Sequence, residues 1–134
     1  MHESYLLVLS LLTICLVGCF QKIERRLGII SEVDTVLLAP EVASVGVPFE
    51  VTVITYSGNC APEPDLEVSY DEKLVLLQPY DTFVVGVVCP PVVHFTPRAA
   101  EITLDQFGDY LLRVEGASSH SEETIFVEQG VEVN

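Results

Sequence analysis

Four cysteines, three histidines and twenty carboxylates are the side chains of this sequence with chemistry to offer. Cys15 and Cys19 close an apolar stretch, Cys60 and Cys89 stand in loops beside prolines, and His94 and His120 lie further on. Catalysis needs a nucleophile beside a base, or ligands at metal spacing. Neither His94 nor His120 lies in a nucleophile motif, and the sequence has no Gly-x-Ser-x-Gly, His-Glu-x-x-His or phosphate-cradling glycine loop. His94 sits in the apolar run "VVHF" and reads as a strand residue. His120 sits in "EGASSHSEE", which reads as an exposed hairpin loop. A metal site built from His120 with Glu122 and Glu123 would need convergent ligands that this spacing alone does not supply. The segment "EPDLEVSYDE" offers Glu63, Asp65, Glu67, Asp71 and Glu72, yet it lacks the dense oxygen spacing and the glycine of a calcium loop. A solvated acidic rim is the better reading. The expectation is a protein that is not an enzyme and carries no cofactor or metal.

The elements that position these residues are strands. In "PFEVTVITY", Phe49, Val51 and Val53 alternate with Glu50, Thr52 and Ile54, the two-residue repeat of a half-buried strand. The same repeat recurs at Leu66, Val68 and Tyr70, at Ile102 and Leu104, at Tyr110, Leu112 and Val114, and at Ile125 and Val127. "KLVLLQ", "TFVVGVV" and "VVHF" are continuous apolar runs, as in strands covered on both faces or at sheet corners. Turn signals at 57–59, 61–64, 78–81, 90–91 and 105–109 separate the runs. No helical period is sustained after residue 32. The spacing predicts an all-β sandwich of about seven to nine short antiparallel strands in a single domain spanning 33–134.

The formal charge of −14 argues against nucleic acid, where Lys and Arg must replace condensed counterions, and against electrostatic adhesion to anionic lipid. The acidic residues are spread along the chain, which suits a solubilising surface. Three of the six basic residues, Lys22, Arg25 and Arg26, fall in "FQKIERRLGIISE". That segment reads as a tether whose charges suit a position next to lipid headgroups.

The run from Tyr5 to Gly18 is too short to span a bilayer comfortably, at about 20 residues per crossing, and has the length of a signal-peptide core. Its end, Leu16-Val17-Gly18-Cys19, resembles the lipobox of bacterial lipoproteins. The resemblance implies that residues 1–18 are removed and that Cys19 carries diacylglycerol and an acylated amine at the head of the mature chain. Residues 19–32 would then be the lipidated terminus and tether. Two or three acyl chains hold far more firmly than one, at roughly 0.8 kcal/mol per buried methylene. The region "MHESY" departs from the pattern in having no Lys or Arg. An uncleaved membrane anchor with Cys19 at its edge is the competing reading, and an intact mass that retains Met1 without lipid would select it. Phe20 stands where an Asp tends to retain Gram-negative lipoproteins at the inner membrane. By resemblance the outer membrane is favoured, where the organism has one.

"LDQFGDYLLRVEG" resembles the tyrosine corner of immunoglobulin-like sandwiches, with Asp105, Gly108 and Tyr110 at the corner positions. The resemblance implies a buried Tyr110 ring and a hydroxyl bonded to upstream backbone. "APEVASVGVPFEVTV" is similar to the opening of bacterial immunoglobulin-like domains. Cys15 leaves with the signal and Cys19 takes the lipid, so Cys60 and Cys89 are expected to pair in an oxidising compartment. Antibody domains build their disulfide over a tryptophan, which this sequence lacks. Such sandwiches host many roles. The expected function is a lipid-anchored, non-catalytic module that binds an envelope protein through a sheet edge or loops. The alternative is a small-ligand or metal-binding accessory lipoprotein, or a protease inhibitor presenting the loops at 57–64 and 89–97.

Overall fold

The computed structural model describes residues 22–58, 64–86 and 93–134. Among them there is no helix. The chain runs through β1 (Ile23–Leu27), β2 (Ile29–Ile30), β3 (Leu37–Leu38), β4 (Val42–Ala43), β5 (Phe49–Gly58), β6 (Pro64–Asp71), β7 (Leu74–Val84), β8 (Val93–Ile102), β9 (Gly108–Ser118) and β10 (Thr124–Val133).

Two groups of strands share one core. In the first, β5 pairs antiparallel with β8, from Phe49 opposite Ile102 to Gly58 opposite Val93, and β3 lies on the other edge of β5. In the second, the order is β6, β7, β9, β10, with β4 added at the end of β10. Inward parity puts Val51 and Val53 of β5 against Val75 and Leu77 of β7 and Leu112 and Val114 of β9, all buried. Each such fully buried side chain contributes roughly 1.5–3 kcal/mol. The fold is all-β and sandwich-like, as the alternation predicts.

Two details differ from the expectation. Among the described residues there are ten strands rather than seven to nine, and β2–β9, β4–β10 and β7–β9 run parallel. In the immunoglobulin arrangement strands C, F and G lie together. Here β7 rather than β6 lies against β9. The intervening β8 belongs to the other group, so β7 and β9 run in one direction.

The domain also begins earlier than residue 33. β1 pairs with the last five residues of β7, from Ile23 opposite Val84 to Leu27 opposite Tyr80. Gly28 then crosses toward β9: its N–H donates to the Pro79 carbonyl at 2.7 Å, and its carbonyl accepts from the Ala117 N–H at 2.8 Å. β2 joins β9 to β5, with Ile29 opposite both Ala117 and Tyr56. Ile30 is fully buried, and its side chain occupies the space a Cβ on Gly116 would need, 2.7 Å from that position. Residues 23–30, expected within the tether at 19–32, are therefore part of the fold. Pro79, with no N–H to donate, falls where β7 leaves β9 after Leu77 and joins β1 at Tyr80.

The turn from Asp105 to Tyr110 is held by a lysine. The Tyr110 ring is buried as expected. Among the described residues its hydroxyl makes no hydrogen bond to upstream backbone; instead Lys73 Nζ donates to the Phe107 carbonyl at 2.7 Å and lies 5.7 Å over the Tyr110 ring. Gly108 has φ +116°, and a Cβ there would collide with Lys73 Nζ. Gly108→Ala is expected to cost more than about 1 kcal/mol in urea denaturation.

Candidate functional site

The strand directions sort the described loops between two ends. β7 and β9 finish at the end where β1 begins, and β5 and β2 finish there too. This proximal end also carries the 31–35 and 119–123 connections. The distal end carries the 72–73 and 103–107 turns and Asn134.

At the proximal end an apolar groove of about 450 Å³ is lined by Ile29, Ser31, Val33, Tyr56, Val93, Ser119 and His120. Its walls are fixed by hydroxyl–carboxylate contacts. Tyr56 donates to Asp34 Oδ2 at 2.7 Å and Ser31 to the same oxygen at 3.1 Å. Ser31 Oγ accepts from the Val33 and Asp34 N–H groups at 3.1 and 2.8 Å, a local turn that holds Val33 outward. Ser118 Oγ donates to Glu32 Oε1 and accepts from the His120 N–H at 3.1 Å. Asp34 and Glu32 are thus engaged by hydroxyls, and what the groove offers a ligand is apolar surface. Phe95 packs beside it on Tyr56, with ring centroids 4.9 Å apart. Val93 and Phe95 are 67% and 66% exposed, so the described part of "VVHF", residues 93–95, is not covered on both faces. These residues begin β8 at an open rim.

Behind this rim, among the described residues, Arg98 bridges the seam between β6 and β8. Arg98, only 5% exposed, donates through Nε to Thr55 Oγ1 at 3.1 Å. Its Nη1 donates to the Asp65 carbonyl at 3.0 Å and the Tyr80 carbonyl at 2.6 Å, and its Nη2 to the buried Asp81 carboxylate. The sequence held the signal for this: Arg98 has the inward parity of Ile102, and Asp81 that of Leu77. Opposite charges on two inward faces are worth looking for, because a buried charge must be paired.

On the flank, Arg25 of β1 reaches Asp65 Oδ2 and Glu67 Oε2 of β6 at 3.0 and 3.1 Å and stacks 3.7 Å over the Tyr80 ring. Those two acceptors, Asp65 first, raise the Arg25 pKa, and the Arg26 guanidinium holds the Glu24 carboxyl below the usual carboxylate range. All are solvent-exposed, where ion pairs contribute little.

Cys19, Cys60, Cys89 and Glu63 lie outside the described residues. His94 is an exposed residue of β8, and His120, Glu122 and Glu123 lie in the β9–β10 connection. Among the described residues no three His, Cys, Asp or Glu side chains converge as a metal site would require. Asp71 and Glu72 occupy a distal turn, well apart from Asp65 and Glu67 on the Arg25 flank. No protein-family model, characterised protein or solved structure matches this chain.

Proposed function

We propose that this chain is a lipid-anchored cell-envelope protein whose β-domain is a non-catalytic binding or structural module for another envelope protein. The observation that carries the reading is Leu16-Val17-Gly18-Cys19 behind an apolar core, followed within a few residues by a folded all-β unit. Phe20 after the cysteine favours the outer membrane where the organism has one. The edge of β10 supports the partner role: among the described residues, the side away from β9 pairs with β4 at Glu132 and Val133, and Gln129 Nε2 donates to the Ala39 carbonyl at 3.0 Å. The backbone from Thr124 to Glu128 is thus open to strand addition among the described residues.

The test is cross-linking in intact cells followed by purification from solubilised envelopes, beside a Cys19→Ser control. A near-stoichiometric partner that is lost in the control is expected. No partner in either sample overturns the binding role, and an intact mass without lipid on Cys19 overturns the anchor.

In this reading Cys60 and Cys89 form a disulfide. The β5–β8 register supports it, since Gly58 is opposite Val93, and Cys60 and Cys89 are close to these two residues in sequence. The folded mature protein should show no free thiol to a thiol reagent, and reduction should lower its stability by about 3–4 kcal/mol in the chain-entropy account.

A further inference from the structure

We propose that the proximal end of the sandwich rests on the lipid surface, with Ile23, Ile29, Val33, Val85, Val93 and Phe95 as its contact. The inference rests on the lipid-anchor reading above and adds an orientation to it.

The first argument is reach. Between Cys19 and the first residue of β1 lie only residues 20–22. Fully extended, three residues span about 10 Å. The headgroup layer is itself several Å deep, at roughly 5–7 Å per leaflet. A domain held that closely has one end against the interface, and the end that carries Ile23 is the proximal one. The Lys22 carbonyl accepts from the Val85 N–H at 2.8 Å, so the first described residue sits beside the β7 turn.

The second argument is what that end presents. The six apolar side chains are 39–88% exposed, Val33 the most, and they come from four separate parts of the chain: β1–β2, the 31–35 turn, the β7 turn and the start of β8. The periodicity that buries alternate residues elsewhere does not account for them. Lys22 flanks them at the level where headgroup phosphates would lie, while Arg25 and Arg26 are paired with Asp65, Glu67 and Glu24. The distal end presents Glu50, Asp71, Glu72, Glu101, Asp105 and Asp109, all exposed. Exposed carboxylates lie at the proximal end as well, at Glu32, Asp34, Glu122 and Glu123, so the contact with lipid is carried by the apolar side chains and not by charge. A patch of this kind binds lipid weakly by itself, but the acyl anchor makes the encounter intramolecular and raises its effective concentration.

The chain contains no tryptophan, which gives a clean probe. Phe95→Trp reports the proximal end and Phe107→Trp, at a distal residue 68% exposed, is the control. Both full-length variants would be purified lipidated from a bacterial host, with the lipid on Cys19 verified by mass. They would then be reconstituted into phosphatidylcholine vesicles with and without lipid brominated near the headgroup end of its chains. The expected result is a blue-shifted, strongly quenched emission for Phe95→Trp and an unquenched, solvent-like emission for Phe107→Trp. Equal, unquenched emission from both in verified lipidated protein overturns the orientation while leaving the anchor intact. A dimer in sedimentation under those conditions would assign the apolar end to a second copy instead. A mass without lipid removes the anchor and the orientation together.

Discussion

Arg98→Ala is expected to lower the free energy of unfolding by about 3–5 kcal/mol, a large part of the roughly 5–15 kcal/mol that holds a typical domain folded. The loss has three sources in the geometry. The Asp81 carboxylate, 4% exposed, is left buried without its counter-charge. The Asp65 and Tyr80 carbonyls lose the donor they share. The β6–β8 seam, which has no ladder of its own, opens to water. Asp81→Leu combined with Arg98→Met should cost less than either replacement alone, because an unpaired buried charge costs more than a hydrophobic pair of similar volume. Urea midpoints of the four proteins measure the coupling. A loss for Arg98→Ala within the roughly ±0.5 kcal/mol of an ordinary surface change would contradict this account.

A chain beginning at Val33 is expected not to fold, whereas one beginning at Phe20 folds. Removing residues 22–32 takes away the partner of the last five residues of β7, the strand that joins β9 to β5, and the fully buried Ile30. The Ile30 side chain alone is worth about 2–5 kcal/mol by the usual large-to-alanine cost. Circular dichroism and amide dispersion in NMR spectra of the two chains decide it. Ile30→Ala in the full chain gives a graded version of the same test. Folding of the shorter chain with an unchanged urea midpoint would return residues 22–32 to the role of a tether.

These two features also show where the sequence was legible. The periodicity at Val51 and Val53, at Ile102 and Leu104 and at Leu112 and Val114 was readable because those strands bury one face, and burial demands alternation. β1 was not readable for the opposite reason. Its sequence "IERRL" is exposed or nearly so at every position, and it is held by backbone pairing to β7 and by Arg25 reaching β6, neither of which leaves an apolar pattern. Arg98 hid in plain composition: a single basic residue in "TPRAAE" looks like surface until its parity is compared with Ile102. The parallel neighbours β7 and β9 depend on which group β8 joins, and no local pattern carries that choice. The proximal groove is assembled from four distant parts of the chain, so its apolar residues read singly as ordinary exposures.

The pairing of β2 with β9 has a consequence for how the molecule is made. Ile29 lies near the amino terminus and Ala117 near the carboxyl terminus, yet they are register partners, and β1 likewise waits for the end of β7. Loop closure over most of the chain is entropically costly and slows folding. β1 and β2 are therefore made well before the strands that hold them. Until β9 is complete, Ile30 has no pocket and the apolar strands stay uncovered, so any machinery that handles the nascent chain meets an open, aggregation-prone polymer rather than a half-built domain.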